Sequence, residues 1–132
     1  MKRWLLLGTL LLAGCGGPAG DLFEVKRSGA DKAANVTLVV SDDGFVTCNG
    51  SKKTLPPNLL LRARQLTRDM APQAELNLTL PAGRGTVLTY TARMAAGTIT
   101  FSDSSRPLPQ SFTELTVYTK DVAEQVCGIT RS

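Results

Sequence analysis

The sequence predicts an α+β domain: an antiparallel sheet of two hairpins, four to five strands in all, with two helices on one face in the order strands, helix, strands, helix. Three observations carry this. Asp43-Gly44 lies between two β-rich runs; Leu59, Ala63, Leu66 and Met70 recur at helical spacing; and a second pair of β-rich runs precedes another helical periodicity.

Leu22 to Ser28 alternates, with Phe23 and Val25 on one side and Glu24 and Lys26 on the other, as a half-buried strand does. Gly29 to Asn35 is polar and reads as a loop. Val36 to Val40 and Phe45 to Cys48 flank Ser41-Asp42-Asp43-Gly44, a strong hairpin signal because Asp-Gly suits the positive φ of a tight turn. Ser51 to Pro57 breaks the pattern. Pro56 or Pro57 fits the first turn of a helix, where a missing N–H costs nothing. That helix is expected to run to about Met70, with Arg62, Arg64, Gln65, Arg68 and Asp69 on its polar faces and Pro72 ending it. Leu76, Leu78 and Leu80 alternate with polar residues and fit either a short edge strand or a packed loop. Val87 to Arg93 and Thr98 to Phe101 form the second hairpin around Ala95-Ala96-Gly97. Phe112, Leu115, Tyr118 or Thr119, Val122 and Val126 then predict a helix to about Cys127, against the strand preference of Thr113, Thr116, Val117 and Thr119.

The N-terminus carries an address. Met1-Lys2-Arg3 is a basic start and Trp4 to Leu12 is apolar apart from Gly8 and Thr9, the pattern of an export signal. The run is too short to span a bilayer, which takes roughly 20 apolar residues. Leu12-Ala13-Gly14-Cys15 resembles the bacterial lipobox, which implies cleavage after residue 14 and a diacylglyceryl group, with fatty chains such as palmitate, on the Cys15 sulfur. Each buried methylene contributes about 0.8 kcal/mol, and two or more chains hold a protein stably. Residues 15–21 then form a lipidated Cys and flexible tether, and residues 22–132 a single globular domain. The expected location is the cell membrane, lipid-anchored, on its extracytoplasmic face.

Loss of Lys2 and Arg3 with the signal brings 15 basic against 11 acidic groups to 13 against 11, a mild +2. Such a charge on an exported domain points to no nucleic acid partner. With Cys15 acylated, Cys48 and Cys127 remain as an even pair in an oxidising compartment, and a disulfide is expected between them. It would close a loop of roughly 80 residues, for which chain entropy suggests about 4.5 kcal/mol at the upper end.

The chain has no His. Ser-His-Asp, Cys-His and His-containing zinc constellations are therefore excluded, and neither an enzyme nor a cofactor is expected. Asp42 and Asp43 are explained by turn propensity without calcium. Pro81-Ala82-Gly83-Arg84-Gly85 lacks the Lys-Ser/Thr ending of a phosphate loop and reads as a turn. Arg62, Arg64 and Arg68 make a basic helix surface, read as a solvated face. The acceptor patterns at Asn35, Asn49 and Asn77 are coincidental in a bacterial lipoprotein. Phe23, Phe45, Phe101, Phe112, Tyr90 and Tyr118 all sit in phase with a core.

Val46-Thr47-Cys48-Asn49-Gly50 after a hairpin, a Leu/Ala/Arg helix, Val87 to Arg93 followed by Thr98 to Asp103, and a terminal Val126-Cys127-Gly128 resemble a family of small actinobacterial-type lipoproteins with no transferable activity. Phe23 to Gly29 and Thr98 to Pro109, with the same element order, are similar to emfourin, a protein inhibitor of thermolysin-like metallopeptidases; the likeness covers most of residues 22–122. This chain departs from it by the lipid anchor, the Cys48 and Cys127 pair and the insertion around Pro72 to Gly85. The expected function is a non-catalytic, membrane-anchored envelope lipoprotein binding a protein or cell-wall component. An emfourin-like inhibitor of extracellular metallopeptidases, or a small-ligand or lipid carrier, are the alternatives.

Overall fold

The computed structural model describes residues 20–131, so Cys15, the expected export signal and all but the end of the expected tether lie outside the described residues. The elements are β1 (Asp21–Gly29), a 3₁₀ turn (Lys32–Ala34), β2 (Val36–Ser41), β3 (Phe45–Cys48), β4 (Ser51–Thr54), α1 (Pro57–Glu75), β5 (Leu88–Met94), β6 (Gly97–Ser102) and α2 (Gln110–Gln125). This is the α+β order the sequence predicts. The strands form one antiparallel sheet in the order β4-β3-β2-β1-β5-β6, six strands rather than four to five.

The chain meanders from the centre to one edge through β4, and α1 carries it over the sheet to the other side of β1. β1 is thereby central, pairing with β2 through Val25↔Leu38 and with β5 through Val25↔Ala92. Every strand but β4 buries alternate residues on a single face. Phe23 and Val25, then Leu38 and Val40, Val46, Tyr90 and Ala92, and Ile99 and Phe101 meet the stripes of both helices in one core. The other face is polar, with Thr37, Thr47, Thr89, Thr91, Thr98 and Thr100 along it, the one-sided pattern of an antiparallel sheet.

The sixth strand was hidden by its composition. Ser51-Lys52-Lys53-Thr54 is exposed throughout and has no apolar residue, so periodicity cannot reveal it. It forms because Asn49 and Gly50, at φ 48 and 89, make a tight turn after β3. Asn49 also receives the Thr37 N–H on its side-chain oxygen at 2.7 Å. The two lysines on this edge discourage pairing with another sheet, and Lys52 Nζ sits 4.0 Å from the Phe45 ring centroid. Phe45 therefore belongs to the open face, not to the core as its phase suggested: Val40↔Val46 pairing turns Val46 inward and its neighbour outward.

α1 continues through Pro72 to Glu75, beyond its expected end near Met70. Proline costs one hydrogen bond there, but the apolar stripe Leu59, Ala63, Leu66, Met70 gains a further buried member in Ala74. The last turn is docked as well: Asn77 N–H donates to Ala74 O, and the Asn77 side chain accepts from Thr98 N–H at 3.0 Å. Gly97 is required at this contact, because a Cβ would collide with the Ala74 carbonyl oxygen. Leu78 and Leu80 lie beside the β6 edge through one parallel bridge, Thr79↔Thr100, and form no named strand.

α2 ends at Gln125, two residues before the expected Cys127. Phe112, Leu115, Tyr118, Thr119, Val122 and Ala123 face the core, each large apolar side chain contributing about 1.5–3 kcal/mol by burial. That tertiary gain outweighs the strand preference of the β-branched residues, and Thr116 and Thr119 return their hydroxyls to the helix carbonyls of Thr113 and Leu115. Phe112 stacks on Phe101 at 4.8 Å and Tyr118 meets Phe23 edge-on at 5.9 Å. Cys48 and Cys127 are joined, with Cα atoms 5.7 Å apart, which ties the end of β3 to the segment after α2.

Candidate functional site

The period-2 alternation of β1 that turns Phe23 and Val25 into the core also turns Arg27 inward. Arg27 is 3 % exposed. Its Nε donates to Ala34 O at 2.9 Å and one terminal nitrogen donates to Ala33 O at 3.1 Å. Those carbonyls end the 3₁₀ turn, which Asp31 begins by accepting the Ala33 N–H at 3.1 Å. A short helix leaves its last carbonyls unpaired, and the arginine satisfies two of them.

The guanidinium opens onto a cleft of about 840 Å³ between the sheet and α2. Leu88 and Tyr90 form its floor and Leu108 one side. α2 supplies a wall from Thr113, Thr116, Val117, Lys120 and Glu124, residues whose three- and four-residue spacing makes a stripe beside the core stripe. The segment after α2 closes the far side with Ile129 and Arg131, held by Ile129 N–H donating to Ala123 O at 2.8 Å and by the disulfide at Cys127.

The charge in this cleft is unbalanced. Arg27, Arg106, Lys120 and Arg131 line it against Asp103 and Glu124. Asp103 is engaged elsewhere, its carboxylate accepting the Val87 and Leu88 N–H groups at 3.0 Å each. Among the described residues the ion pairs are Lys26–Glu24, Arg62–Asp121 and Arg64–Asp42, none of them in the cleft. Burial lowers the Arg27 pKa, Tyr90 pulls it back up, nearby Arg131 lowers it further and Glu124 raises it. The group stays charged, as guanidinium does. Burial likewise raises the pKa of the Tyr90 phenol, against the pull of Arg27. The Arg131 Nε is buried with no hydrogen-bond partner among the described residues.

Of the residues singled out from sequence, Cys15 lies outside the described residues, and Cys48 with Cys127 are brought together behind the wall that ends in Arg131. Arg62 and Arg64 are tied to Asp121 and Asp42, and Arg68 donates to Gln65. The Pro81 to Thr86 loop is exposed and braced: Gly83 N–H donates to Ser104 Oγ at 3.0 Å, Thr86 bonds Gly83 O at 3.1 Å, and the Thr86 and Ser104 hydroxyls touch. Sequence reasoning missed Arg27 altogether. Its signal was present: an arginine two residues after Val25, in phase with a buried pair, is an inward cation unless the strand ends first.

The chain matches no protein-family model, no curated protein and no solved structure.

Proposed function

We propose that the protein is a non-catalytic, lipid-anchored module of the cell envelope that recognises a partner, a protein or a cell-wall component, through the cleft between α2 and the sheet. The observation that carries this reading is the cleft itself, whose volume lies in the range of ligand sites and whose wall is covalently held at Cys127. The lipobox-like Leu12-Ala13-Gly14-Cys15 supports a lipid anchor on the extracytoplasmic face. Among the described residues no helix is long and apolar enough to cross a membrane. Retention at the bilayer is then the task of the acyl chains on Cys15.

Two measurements test the reading. Mass spectrometry of protein from its native membrane is expected to find residue 15 N-terminal and acylated; an unmodified Cys15, or residues 1–14 still attached, refutes the anchor. Cross-linking in intact envelopes is expected to recover a partner with the native chain and at least tenfold less with Lys120→Glu, an exposed change inside the cleft. Equal recovery would move recognition elsewhere.

A second reading rests on the braced loop of Pro81 to Thr86, which presents Arg84 on an exposed, hydrogen-bonded turn. Such a loop suits insertion into a protease cleft, in keeping with the resemblance to emfourin. Undiminished turnover of a thermolysin-like metallopeptidase in the presence of excess protein would dismiss it.

A further inference from the structure

We infer that the cleft binds an oxyanion, a carboxylate or phosphate, carried on a small apolar body, with Arg27 and Arg131 as its charged holders and Leu88, Tyr90, Leu108 and Ile129 as its apolar seat. The inference rests on the proposal that this cleft is the recognition site and names the group that enters it.

A buried cation without a counter-ion is costly, and proteins rarely retain one unless it is paired or hydrogen-bonded. Arg27 is satisfied on one side only. Its bonds to Ala33 O and Ala34 O occupy Nε and one terminal nitrogen, leaving Nη1, which solvent reaches, without a protein acceptor among the described residues in a side chain that lines the cleft. Carbonyl oxygens orient the guanidinium but carry no net charge. An anion at that nitrogen would supply the charge that the carbonyls do not, and guanidinium geometry favours a planar or tetrahedral oxyanion that accepts two parallel N–H bonds.

Arg131 strengthens the assignment from a different element. Its buried Nε also lacks an acceptor among the described residues, and its charge lies close enough to Arg27 to disfavour protonation there. Both arginines line the cleft, where like charges repel, and an oxyanion between their guanidinium groups would relieve that repulsion. Glu124 is the one lining carboxylate left after Asp103 is engaged by backbone amides, and it stands at an exposed position of α2. It leaves the cleft net positive.

The apolar part follows from the remaining lining. Leu88 and Tyr90 are buried on the sheet side and Leu108 and Ile129 half-buried beside them, so a purely hydrated ion would leave this surface unused. A ligand with a hydrocarbon portion covers it, each methylene removed from water contributing favourably. A lipid headgroup region and a free amphiphile share this chemistry.

The test uses the full chain in phosphatidylcholine nanodiscs, titrated by calorimetry with hexyl phosphate, hexanoate, hexanol, hexylamine and inorganic phosphate. Hexyl phosphate and hexanoate are expected to bind at least tenfold more tightly than hexanol or hexylamine, and hexyl phosphate several-fold more tightly than inorganic phosphate. Arg131→Gln and Lys120→Glu, both near the rim and outside the core stripe, are expected to weaken hexyl phosphate by tenfold or more with unchanged melting temperatures. Arg27→Gln should abolish binding, and the rim variants keep the test sound if that chain fails to fold. Repeating the titration in nanodiscs containing phosphatidylglycerol separates the sources: an apparent affinity several-fold lower marks a competing lipid headgroup, an unchanged one a free amphiphile, and either outcome upholds the oxyanion. Hexanol or hexylamine binding as well as hexyl phosphate, or rim variants that leave its binding unmoved, overturns it. If the oxyanions fail while Lys120→Glu still loses the envelope partner, the cleft remains the recognition site and only the ligand chemistry is wrong.

Discussion

Phe23 and Val25 stand two repeats and one repeat before Arg27 on the same face of the same strand, and the three are 1 %, 0 % and 3 % exposed. Their surroundings are opposite. Phe23 meets Tyr118, and both Phe23 and Val25 join the apolar core under two helices. Arg27 lies where a 3₁₀ turn offers carbonyls and a cationic cleft replaces the core. Strand alternation decides which way a side chain points, whereas the elements packed above that point decide what its burial is worth.

The largest expected effect is at the apolar end. Phe23→Ala removes a fully packed ring and should cost about 3–5 kcal/mol, read as a lower urea midpoint; a loss below about 1 kcal/mol would mean that Tyr118 collapses into the space. Replacing Cys48 and Cys127 together by Ser opens a loop whose ends are 79 residues apart. A loss of about 2–4.5 kcal/mol is expected, together with faster amide exchange at Ile129 and Thr130, because the wall of the cleft is no longer pinned. If exchange rose equally throughout α1, the bridge would act on global stability alone.

Tyr118 sharpens the contrast through pH. Its hydroxyl is buried and donates to Leu59 O at 3.0 Å, and burial raises its pKa above the ordinary 10.0. The unfolded chain releases this proton near pH 10 while the folded chain keeps it. The stabilisation is therefore complete below about pH 10 and declines as pH rises beyond, by up to about 1.4 kcal/mol per pH unit. Tyr118→Phe should cost about 1 kcal/mol at pH 8 and flatten the alkaline decline; Tyr90, raised in the same direction, leaves part of it. An unchanged slope in urea titrations at pH 8 and pH 11 would locate the decline elsewhere.

The smallest stability change is expected at Arg27 itself. Arg27→Met exchanges a half-satisfied buried cation for an apolar chain of similar length, and such exchanges are often neutral or stabilising. A shift within about 1 kcal/mol is expected, against the much larger loss at Phe23, although two 3₁₀ carbonyls lose their donor. A loss of about 3 kcal/mol or more would show that the guanidinium holds the turn together and is chiefly structural.

Much of the architecture was legible because it rests on local chemistry. The Asp43-Gly44 hairpin, the Leu59 to Met70 stripe, the strands on either side of Ala95-Ala96-Gly97 and the Phe112 to Val122 periodicity each combine burial with a single repeat length. Where these signals separated, reading failed. Ser51 to Thr54 is a strand with no apolar residue, detectable only through Asn49-Gly50, and Pro72 is a helix breaker overruled by the docking of Ala74, Asn77 and Gly97.

Sequence by itself determined the class of fold and the polarity of most strand and helix faces, because side-chain alternation, turn residues and composition act over a few neighbouring positions. Only the tertiary structure decided that β1 is central, that Pro72 lies within a helix and that Arg27, Lys120 and Arg131 line one cleft. These residues lie on separate elements, and their nearness depends on which strands pair and how α2 and the bridged segment after it settle on the sheet. That is a balance of burial and desolvation summed over the whole core, and no local stretch of chain contains it.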